Sequence, residues 1–174
     1  RATNRLCGLS PGQNIHDLAG PLGRPTHVEQ VGRVVVVGGG IGTAVCLPIA
    51  KAMAKAGNEV LAIIGGRSAD YVILEDEMRA TADPVIACTD DGSYGRKGLV
   101  TEPLKGMIDG GEPVDQVVAA GPVPMMQAVC EVTRQKNIPT VVSLNPIMID
   151  GTGMCGGCRV TVGGETRFAC VDGP

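Results

Sequence analysis

Short apolar runs recur through the middle of the chain and alternate with stretches of helical hydrophobic spacing. The first run, residues 33–37, is β-branched at every position after its arginine, which is typical of a strand buried on both faces. Further strands are predicted at residues 59–64, 84–89, 116–120 and 138–144. The intervening helices are predicted at residues 47–56, 70–81, 97–108 and 124–136. Strands and helices that alternate at this spacing predict an α/β fold, an open doubly wound parallel sheet.

Three residues mark the expected ends of these helices. Pro48 suits a helix only within its first turn, so the first helix is predicted to begin close to it. Gly57 is well placed to stop that helix, and Asp70 is a candidate N-cap of the next one.

The two ends of the chain lack this alternation. Residues 1–27 are rich in Gly, Pro and Asn without a sustained period, which predicts a linker or the end of a preceding domain. Beyond residue 145, a β-hairpin is predicted from residues 158–162 and 165–170, joined by a Gly-Gly turn. We therefore divide the chain into residues 1–27, a nucleotide-binding domain at 28–145, and a small C-terminal segment at 146–174.

Composition excludes several classes of partner. The net charge is −3 with only three aromatic residues, so the chain has neither the basic surface nor the stacking platform of a nucleic-acid-binding protein. Its apolar runs are too short to cross a bilayer, and no signal sequence opens the chain. We expect a cytoplasmic protein, and a piece of a longer one because its first residue is Arg.

A glycine-rich turn lies between the first predicted strand and the following helix. Such a turn lets backbone N–H groups approach a pyrophosphate at the helix N-terminus, which predicts a dinucleotide site. A tight turn made for packing alone is the alternative. The candidate residues of this turn are Gly38, Gly39, Gly40, Ile41, Gly42 and Thr43.

Segments that follow the other strands are expected at the same edge of the sheet. The second strand ends near Gly66 and Arg67, without the acidic residue that accepts from the ribose of NAD. Arg67 suits a 2′-phosphate or is a solvated surface charge, so these residues leave the choice between NAD(H) and NADP(H) open. The adjacent Asp90 and Asp91 favour a solvated turn over an acid/base pair. The remaining candidates for cofactor binding are Asp91, Gly121, Pro122 and Met125.

Four metal-binding side chains occur in the C-terminal segment with the spacing D-x4-C-x2-C-x11-C. They are Asp150, Cys155, Cys158 and Cys170. Plant-type ferredoxins hold a [2Fe-2S] cluster with C-x4-C-x2-C and a distant fourth Cys, which is the same pattern apart from Asp150 at the first position. A zinc knuckle is the alternative for the same donors. The dispersed thiols of Cys46, Cys88 and Cys130 are assigned to packing.

Residues 37–42, 120–126 and 143–159 (VGGGIG, AGPVPMM and SLNPIMIDGTGMCGGCR) together resemble a known family. They are similar to electron-transfer subunits of the ferredoxin-NADP reductase superfamily, such as that of dihydroorotate dehydrogenase. The resemblance is strongest to the alpha subunit of NADH-dependent reduced ferredoxin:NADP oxidoreductase, also called sulfide dehydrogenase subunit, which pairs one Asp with three Cys. The superfamily's Cys-Gly-Pro turn reads Ala120-Gly121-Pro122 here, so no catalytic thiol is carried over.

The resemblance implies an oxidoreductase that exchanges hydride between NAD(H) and FAD and relays single electrons through the cluster. FAD would be held mostly by a β-barrel domain of which residues 1–27 are the tail. The implied partner is a larger flavin and iron-sulfur subunit, similar to the glutamate synthase small subunit or to dihydroorotate dehydrogenase. The alternative is a non-catalytic module that senses NAD(H) and carries a structural zinc.

Overall fold

The computed structural model describes residues 2–144 and 147–173, and its centre is a six-stranded sheet in which every pair of neighbouring strands is parallel. The order across the sheet is β4-β3-β2-β1-β5-β6. This confirms the predicted doubly wound parallel sheet. The strands are β1 (Arg33–Gly39), β2 (Glu59–Gly66), β3 (Val85–Thr89), β4 (Arg96–Lys97), β5 (Gln116–Ala120) and β6 (Thr140–Val142).

Helices flank the sheet, and an antiparallel hairpin follows it. The helices are α1 (Ala2–Cys7), α2 (Gly42–Lys55), α3 (Glu75–Arg79), α4 (Thr101–Asp109), α5 (Val123–Arg134) and α6 (Ala169–Asp172). The hairpin strands are β7 (Arg159–Val162) and β8 (Glu165–Phe168), as predicted from the Gly-Gly turn between them. The domain boundary expected between residues 145 and 146 lies outside the described residues. Within those residues, no helix combines the length and the hydropathy needed to span a bilayer.

Strand β1 is the centre of both hydrophobic cores. Its four consecutive valines, at positions 34–37, are completely buried. Successive side chains of a strand point to opposite faces, so Val34 and Val36 pack toward α2 and α3, while Val35 and Val37 pack toward α4 and α5. Each buried valine contributes about 1.5–3 kcal/mol through the hydrophobic effect. The continuous apolar run thus specifies a strand that is covered on both sides.

Helix α2 corrects one prediction. It begins at Gly42, five residues before the predicted start, which places Pro48 in its second turn rather than its first. The helix starts directly at the end of the glycine turn, and the proline costs it one backbone hydrogen bond to Ala44. Gly57, at φ +92°, does end this helix region as predicted.

The predicted helix at residues 70–81 is interrupted. A 3₁₀ turn at Ala69–Tyr71 is separated from α3 by Leu74, whose φ of +58° breaks the helical path. Asp70 lies inside that turn and is not an N-cap.

Four further elements differ from prediction, two of them because of strand pairing. Residues 96–97 pair with the end of β3 as a short edge strand, so α4 begins only at Thr101. Strand β6 is limited to the residues that pair with β5. Cys170 lies in α6 instead of the last hairpin strand, and α1 occupies part of a segment predicted to be irregular.

The side chain of Asn58 ties the segment before β1 to the end of α2. Its Oδ1 accepts hydrogen bonds from the N–H groups of Val31 (2.7 Å) and Gly32 (3.0 Å). Its Nδ2 donates to the carbonyls of Glu29 and Met53, both at 2.9 Å. Because the Asn58 residue is only 8% exposed, these backbone groups depend on it for their partners.

We expect Asn58→Ala to lower the free energy of unfolding by about 2–3 kcal/mol, because buried backbone groups lose their hydrogen-bond partners. Urea denaturation followed by far-UV circular dichroism measures the change. Asn14→Ala, at an exposed position of the N-terminal segment, is the control and should stay within about 0.5 kcal/mol of the wild type. Equal stability of the two variants would contradict this role of Asn58.

Candidate functional site

A cleft of about 890 Å³ opens at the carboxyl ends of the parallel strands. Crevices at this edge of an open α/β sheet are where ligands bind. Most of the lining is glycine or apolar side chains, so the backbone supplies much of its surface. The lining includes Gly39–Gly42, Gly65–Arg67, Tyr71, Cys88, Asp90, Gly98–Thr101, Ala120–Met126, Ser143, Leu144 and Val160.

The turn between β1 and α2 is held close to its neighbours because its glycines lack side chains. A Cβ added at Gly42 would lie 2.0 Å from the carbonyl oxygen of Ala120, and one at Gly39 would lie 2.5 Å from Sδ of Met125. Gly40 adopts a φ of +53° and its N–H donates to the carbonyl of Gly65 at 2.7 Å. The backbone of this turn is therefore pressed against the ends of β2 and β5.

Three helices begin at the cleft without a side-chain cap from the described residues. They are α2, α4 and α5, whose first residues Gly42, Thr101 and Val123 all line the cleft. Uncapped N–H groups and the helix dipole give each N-terminus a partial positive charge. The centre of the cleft is consequently suited to an anionic group such as a pyrophosphate.

The structure brings most of the predicted cofactor residues to the cleft. The predicted residues that line it are Gly39, Gly40, Ile41, Gly42, Gly66, Arg67, Gly121, Pro122 and Met125. Gly38 and Thr43 lie behind the turn instead, where a Cβ on Gly38 would meet Thr43 at 2.8 Å and Thr43 is only 1% exposed. These two residues therefore support the turn from the side that faces the hydrophobic core.

The carboxylate of Asp91 is hydrogen-bonded within its own loop and is not part of the cleft lining. Its Oδ1 accepts the N–H of Ser93 at 2.9 Å and the hydroxyl of Ser93 at 2.6 Å. The hydrogen bond from this hydroxyl lowers the pKa of Asp91 below its ordinary value, since it favours the carboxylate. The neighbouring Asp90 lines the cleft in its place.

Several lining residues were missed by sequence reasoning. Gly65 lies at the end of β2, and Leu99 and Thr101 follow β4; that placement was a signal for finding them. Val160 belongs to the distant hairpin, and no local pattern connects it with the sheet. Cys88 also lines the cleft, and burial raises the pKa of its thiol.

The dispersed thiols largely take the packing role predicted for them. Cys46 is completely buried, and burial raises the pKa of its thiol to about 11. Cys88 is also buried in the core, whereas Cys130 is half-buried on α5. Because burial raises the pKa of the Cys46 and Cys88 thiols, these two are poor nucleophiles at neutral pH.

The four donors of the C-terminal segment form two pairs. Sγ of Cys158 and Sγ of Cys170 are 3.2 Å apart, which is too long for a disulfide bond of about 2.05 Å. Two thiolates on one tetrahedral iron, with bonds of about 2.3 Å, are separated by about 3.8 Å. Asp150 and Cys155 form the second pair, in which the N–H of Cys155 donates to Oδ2 of Asp150 at 2.8 Å.

Backbone N–H groups surround these donors. Gly157 donates to Sγ of Cys155 and Cys170 donates to Sγ of Cys158, each at 3.4 Å. Thr152 donates to Oδ1 of Asp150 at 2.8 Å, and this hydrogen bond is the main reason that the pKa of Asp150 is lowered. Hydrogen bonds of this kind hold anionic ligands in place around an iron-sulfur cluster.

The two paired thiols differ in protonation preference. The backbone N–H of Cys170 lowers the pKa of the Cys158 thiol, whereas the contact with Cys158 raises the pKa of the Cys170 thiol. In the described ranges, no three His, Cys, Asp or Glu side chains are placed to hold one common metal ion. A [2Fe-2S] cluster takes two protein ligands on each of its two irons.

The N-terminal segment lies against this part of the chain. The N–H of Arg24 donates to the carbonyl of Gly173 at 3.4 Å. A Cβ on Gly23 would lie 2.9 Å from the carbonyl oxygen of Cys170, and one on Gly151 would lie 2.9 Å from Cδ1 of Leu22. Residues 22–24 therefore contact both the donor loop and the helix that carries Cys170.

Comparison with known families identifies the two parts of the chain. Residues 36–131 match the oxidoreductase NAD-binding domain, which is more than half of the chain. The chain belongs to the oxidoreductase NAD-binding domain family. Residues 145–174 match the iron-sulfur cluster binding domain of dihydroorotate dehydrogenase B. The NAD-binding match thus contains most of the cleft lining, and the iron-sulfur match contains Val160 of the lining and all four predicted donors.

Relatives of this NAD-binding oxidoreductase chain are electron transfer subunits. A dihydroorotate dehydrogenase B (NAD(+)) electron transfer subunit homolog from Thermotoga maritima is 47% identical over the whole chain, which covers 61% of that protein. The electron transfer subunit from Geobacillus thermodenitrificans is 36% identical, with 67% of its length covered. The chain therefore spans about six-tenths of the length of these curated relatives.

The fold also matches a solved structure closely. The structure of an NADH-dependent reduced ferredoxin-NADP oxidoreductase, described in connection with flavin-based electron bifurcation, superposes with a TM-score of 0.88 at 45% identity. The match covers all of this chain and 62% of the other. The family resemblance found in the sequence motifs is confirmed by these matches.

We expect Gly42→Ala to weaken NAD⁺ binding at least about tenfold, because its Cβ would displace the start of α2 from β5. Gly40→Ala is the matched control, since a Cβ there meets no atom within 4 Å and only the positive φ is unfavourable. That variant should lose about 1 kcal/mol of stability and keep most of its affinity. Isothermal titration calorimetry with NAD⁺ and urea denaturation separate the two effects, and similar affinities for both variants would contradict the close-packed turn.

Proposed function

We propose that this chain is the NAD(H)- and cluster-binding part of an electron-transfer subunit. In this role it passes electrons between NAD(H), FAD and a [2Fe-2S] cluster, to or from a partner subunit. The activity is of the ferredoxin:NADP oxidoreductase, or transhydrogenase, type. The proposal rests on the hairpin of β7 and β8, which reaches the cleft and also connects Cys158 to Cys170.

Val160 of β7 lines the cleft, two residues after the buried Cys158. The hairpin then returns along β8 to Cys170, and the N–H of Ala169 donates to the carbonyl of Cys158 at 3.1 Å. A dinucleotide in the cleft and a cluster on the donor pairs would thus be neighbours on one hairpin. NAD(H) exchanges hydride, a two-electron step, whereas the cluster takes single electrons, so FAD would mediate between the two sites.

The chain itself supplies positioning at the cleft. The N-termini of α2, α4 and α5 would hold the pyrophosphate, which leaves the two ends of the dinucleotide to bind at opposite ends of the cleft. The nicotinamide supplies hydride transfer when it is bound. Apolar side chains at the ends of β5 and β6, among them Met125 and Leu144, would exclude water from that end.

The donor pairs would hold the cluster, with Asp150 and Cys155 on one iron and Cys158 and Cys170 on the other. The cluster supplies one-electron transfer when it is bound. Asp150 also organises the loop, because its two carboxylate oxygens accept the N–H groups of Thr152 and Cys155. A carboxylate is a harder ligand than a thiolate, so Asp150 would alter the potential of the cluster.

We infer from the family resemblance that FAD is bound mostly by a β-barrel domain of the intact protein. The partner would be a larger flavin and iron-sulfur subunit, similar to the glutamate synthase small subunit or to dihydroorotate dehydrogenase. The names of the relatives support this assignment, since they are electron transfer subunits. The contact of residues 22–24 with the donor segment would place such a flavin domain beside the cluster.

We expect the anaerobically prepared chain to contain about two iron and two labile sulfide per molecule. Asp150→Cys should keep that content but shift the midpoint potential, because the ligand changes from carboxylate to thiolate. Cys158→Ala should lose most of the iron, since one iron would lack a ligand. Metal analysis, sulfide assay and a spectroscopic redox titration measure these changes.

Cys130→Ala is the control for loss of a thiol, since Cys130 is half-buried on α5 and outside the donor segment. It should retain the iron and sulfide of the wild type. A colourless protein with one zinc per chain would overturn the cluster and favour the zinc-bearing sensor. An unchanged midpoint potential in Asp150→Cys would remove Asp150 from the ligand set.

A further inference from the structure

The charged side chains that line the cleft lie together at one end. Among the described lining residues they are Arg67, after β2, and Asp90, after β3. Tyr71 lines the same end, and it is the aromatic side chain in the lining within the described part of the chain. The opposite end, at β5 and β6, presents Met125 and Leu144. The cleft is therefore polar and aromatic at the β2–β3 end and apolar at the other.

The loops that form this end are joined to each other through Ser93. Oγ of Ser93 accepts the N–H of Ala69 at 2.8 Å and donates to Oδ1 of Asp91 at 2.6 Å. The N–H of Asp90 donates to the carbonyl of Gly66 at 3.1 Å, and the N–H of Asp91 donates to the carbonyl of Arg67 at 3.3 Å. Asp91 thus fixes the loop after β3 against the loop after β2, while Asp90 is held beside Gly66 at the cleft.

Gly66 allows Tyr71 to approach the end of β2. A Cβ at Gly66 would lie 2.7 Å from Cβ of Tyr71, so the absence of a side chain is what makes room for the tyrosine. Tyr71 remains 57% exposed, which leaves much of its ring open to a ligand. Aromatic rings of this kind stack on nucleobases.

We propose that the β2–β3 end of the cleft binds adenosine and selects a ribose with a free 2′-hydroxyl. Tyr71 stacks on the adenine, and the Asp90 carboxylate accepts a hydrogen bond from the 2′-hydroxyl. Asp90 is a specificity-determining residue that makes the site favour NAD(H) over NADP(H). This inference rests on the proposed function, because it requires a dinucleotide in the cleft.

Charge decides between the two dinucleotides. Arg67 alone would attract the 2′-phosphate of NADP(H), but Arg67 and Asp90 at the same end have no net charge. A phosphate dianion would gain little there and would be repelled by the carboxylate. A neutral 2′-hydroxyl donates to that carboxylate instead, the same interaction by which an acidic residue after the second strand selects NAD in other dinucleotide-binding sheets.

The test is calorimetric titration of the full chain with NAD⁺ and, separately, NADP⁺. The wild type should bind NAD⁺ at least about tenfold more tightly, and Asp90→Asn should reduce this ratio at least about tenfold, because it removes both the acceptor charge and the repulsion. Asp109→Asn makes the same charge change at an exposed position at the end of α4, and should keep the wild-type ratio.

Tyr71 is tested by its effect on both ligands together. Tyr71→Ala should weaken NAD⁺ and NADP⁺ by a similar factor of about ten, because stacking does not depend on the 2′-substituent. Tyr71→Phe should retain the wild-type affinities, since the ring is kept.

The outcomes separate this inference from the proposed function. If the wild type bound neither dinucleotide, the proposed function of the cleft would fail. If NAD⁺ bound but Asp90→Asn kept the wild-type ratio, or if the wild type preferred NADP⁺, the role of Asp90 would be wrong while the NAD(H) site stood. Equal affinities of Tyr71→Ala and the wild type would remove Tyr71 from the site.

Discussion

The contact between the first turn of α2 and the end of β5 is the constraint on which the cleft depends. Gly42 lies so close to the Ala120 carbonyl that no other residue fits there without moving the helix. The buried valines of β1 fix the strand that leads into this turn from the opposite side. The N–H groups at the helix start are consequently held at the edge of the sheet. An anion site built in this way needs few charged side chains, and the cleft has few.

The C-terminal segment has only a small core, and local hydrogen bonds hold its conformation instead. Its buried cluster consists of Cys158, Ala169 and Cys170, with Phe168 packed against it. A core of this size contributes little to stability, so the conformation of the donor loop depends on its short-range hydrogen bonds, including those accepted by Asp150. Metal binding and folding of such a segment are therefore coupled. Asp150 would link the two, since one side chain both shapes the loop and belongs to the proposed donor set.

The elements that the sequence predicted well are those whose signal is local. The valine run of β1 predicts a strand that is buried on both faces, and Gly163-Gly164 predicts a tight hairpin turn. The helix break at Leu74 could not be predicted, because nothing in its neighbourhood distinguishes a leucine with positive φ from one within a helix. The edge strand at residues 96–97 exists through its pairing with β3, which is a tertiary contact.

Within the site, the glycine turn and the segment after β5 were predicted because ligands bind at the carboxyl ends of parallel strands. This expectation did not decide which of two adjacent carboxylates faces the cleft, because that depends on a serine two residues further along the loop. The contribution of Val160 was equally hidden, since it requires a hairpin from another segment to fold back onto the sheet. Sequence patterns located the edge where a ligand binds, and three-dimensional packing selected the side chains.

The contact of residues 22–24 with the donor segment closes the chain into a loop, with its early and late residues side by side. Any domain joined ahead of residue 20 would thereby be tethered within a few residues of the proposed iron ligands. A short tether of this kind acts as a high local concentration and limits the orientations that the two modules can sample. The separations over which an electron would have to cross between them are then limited by the length and stiffness of a single peptide segment.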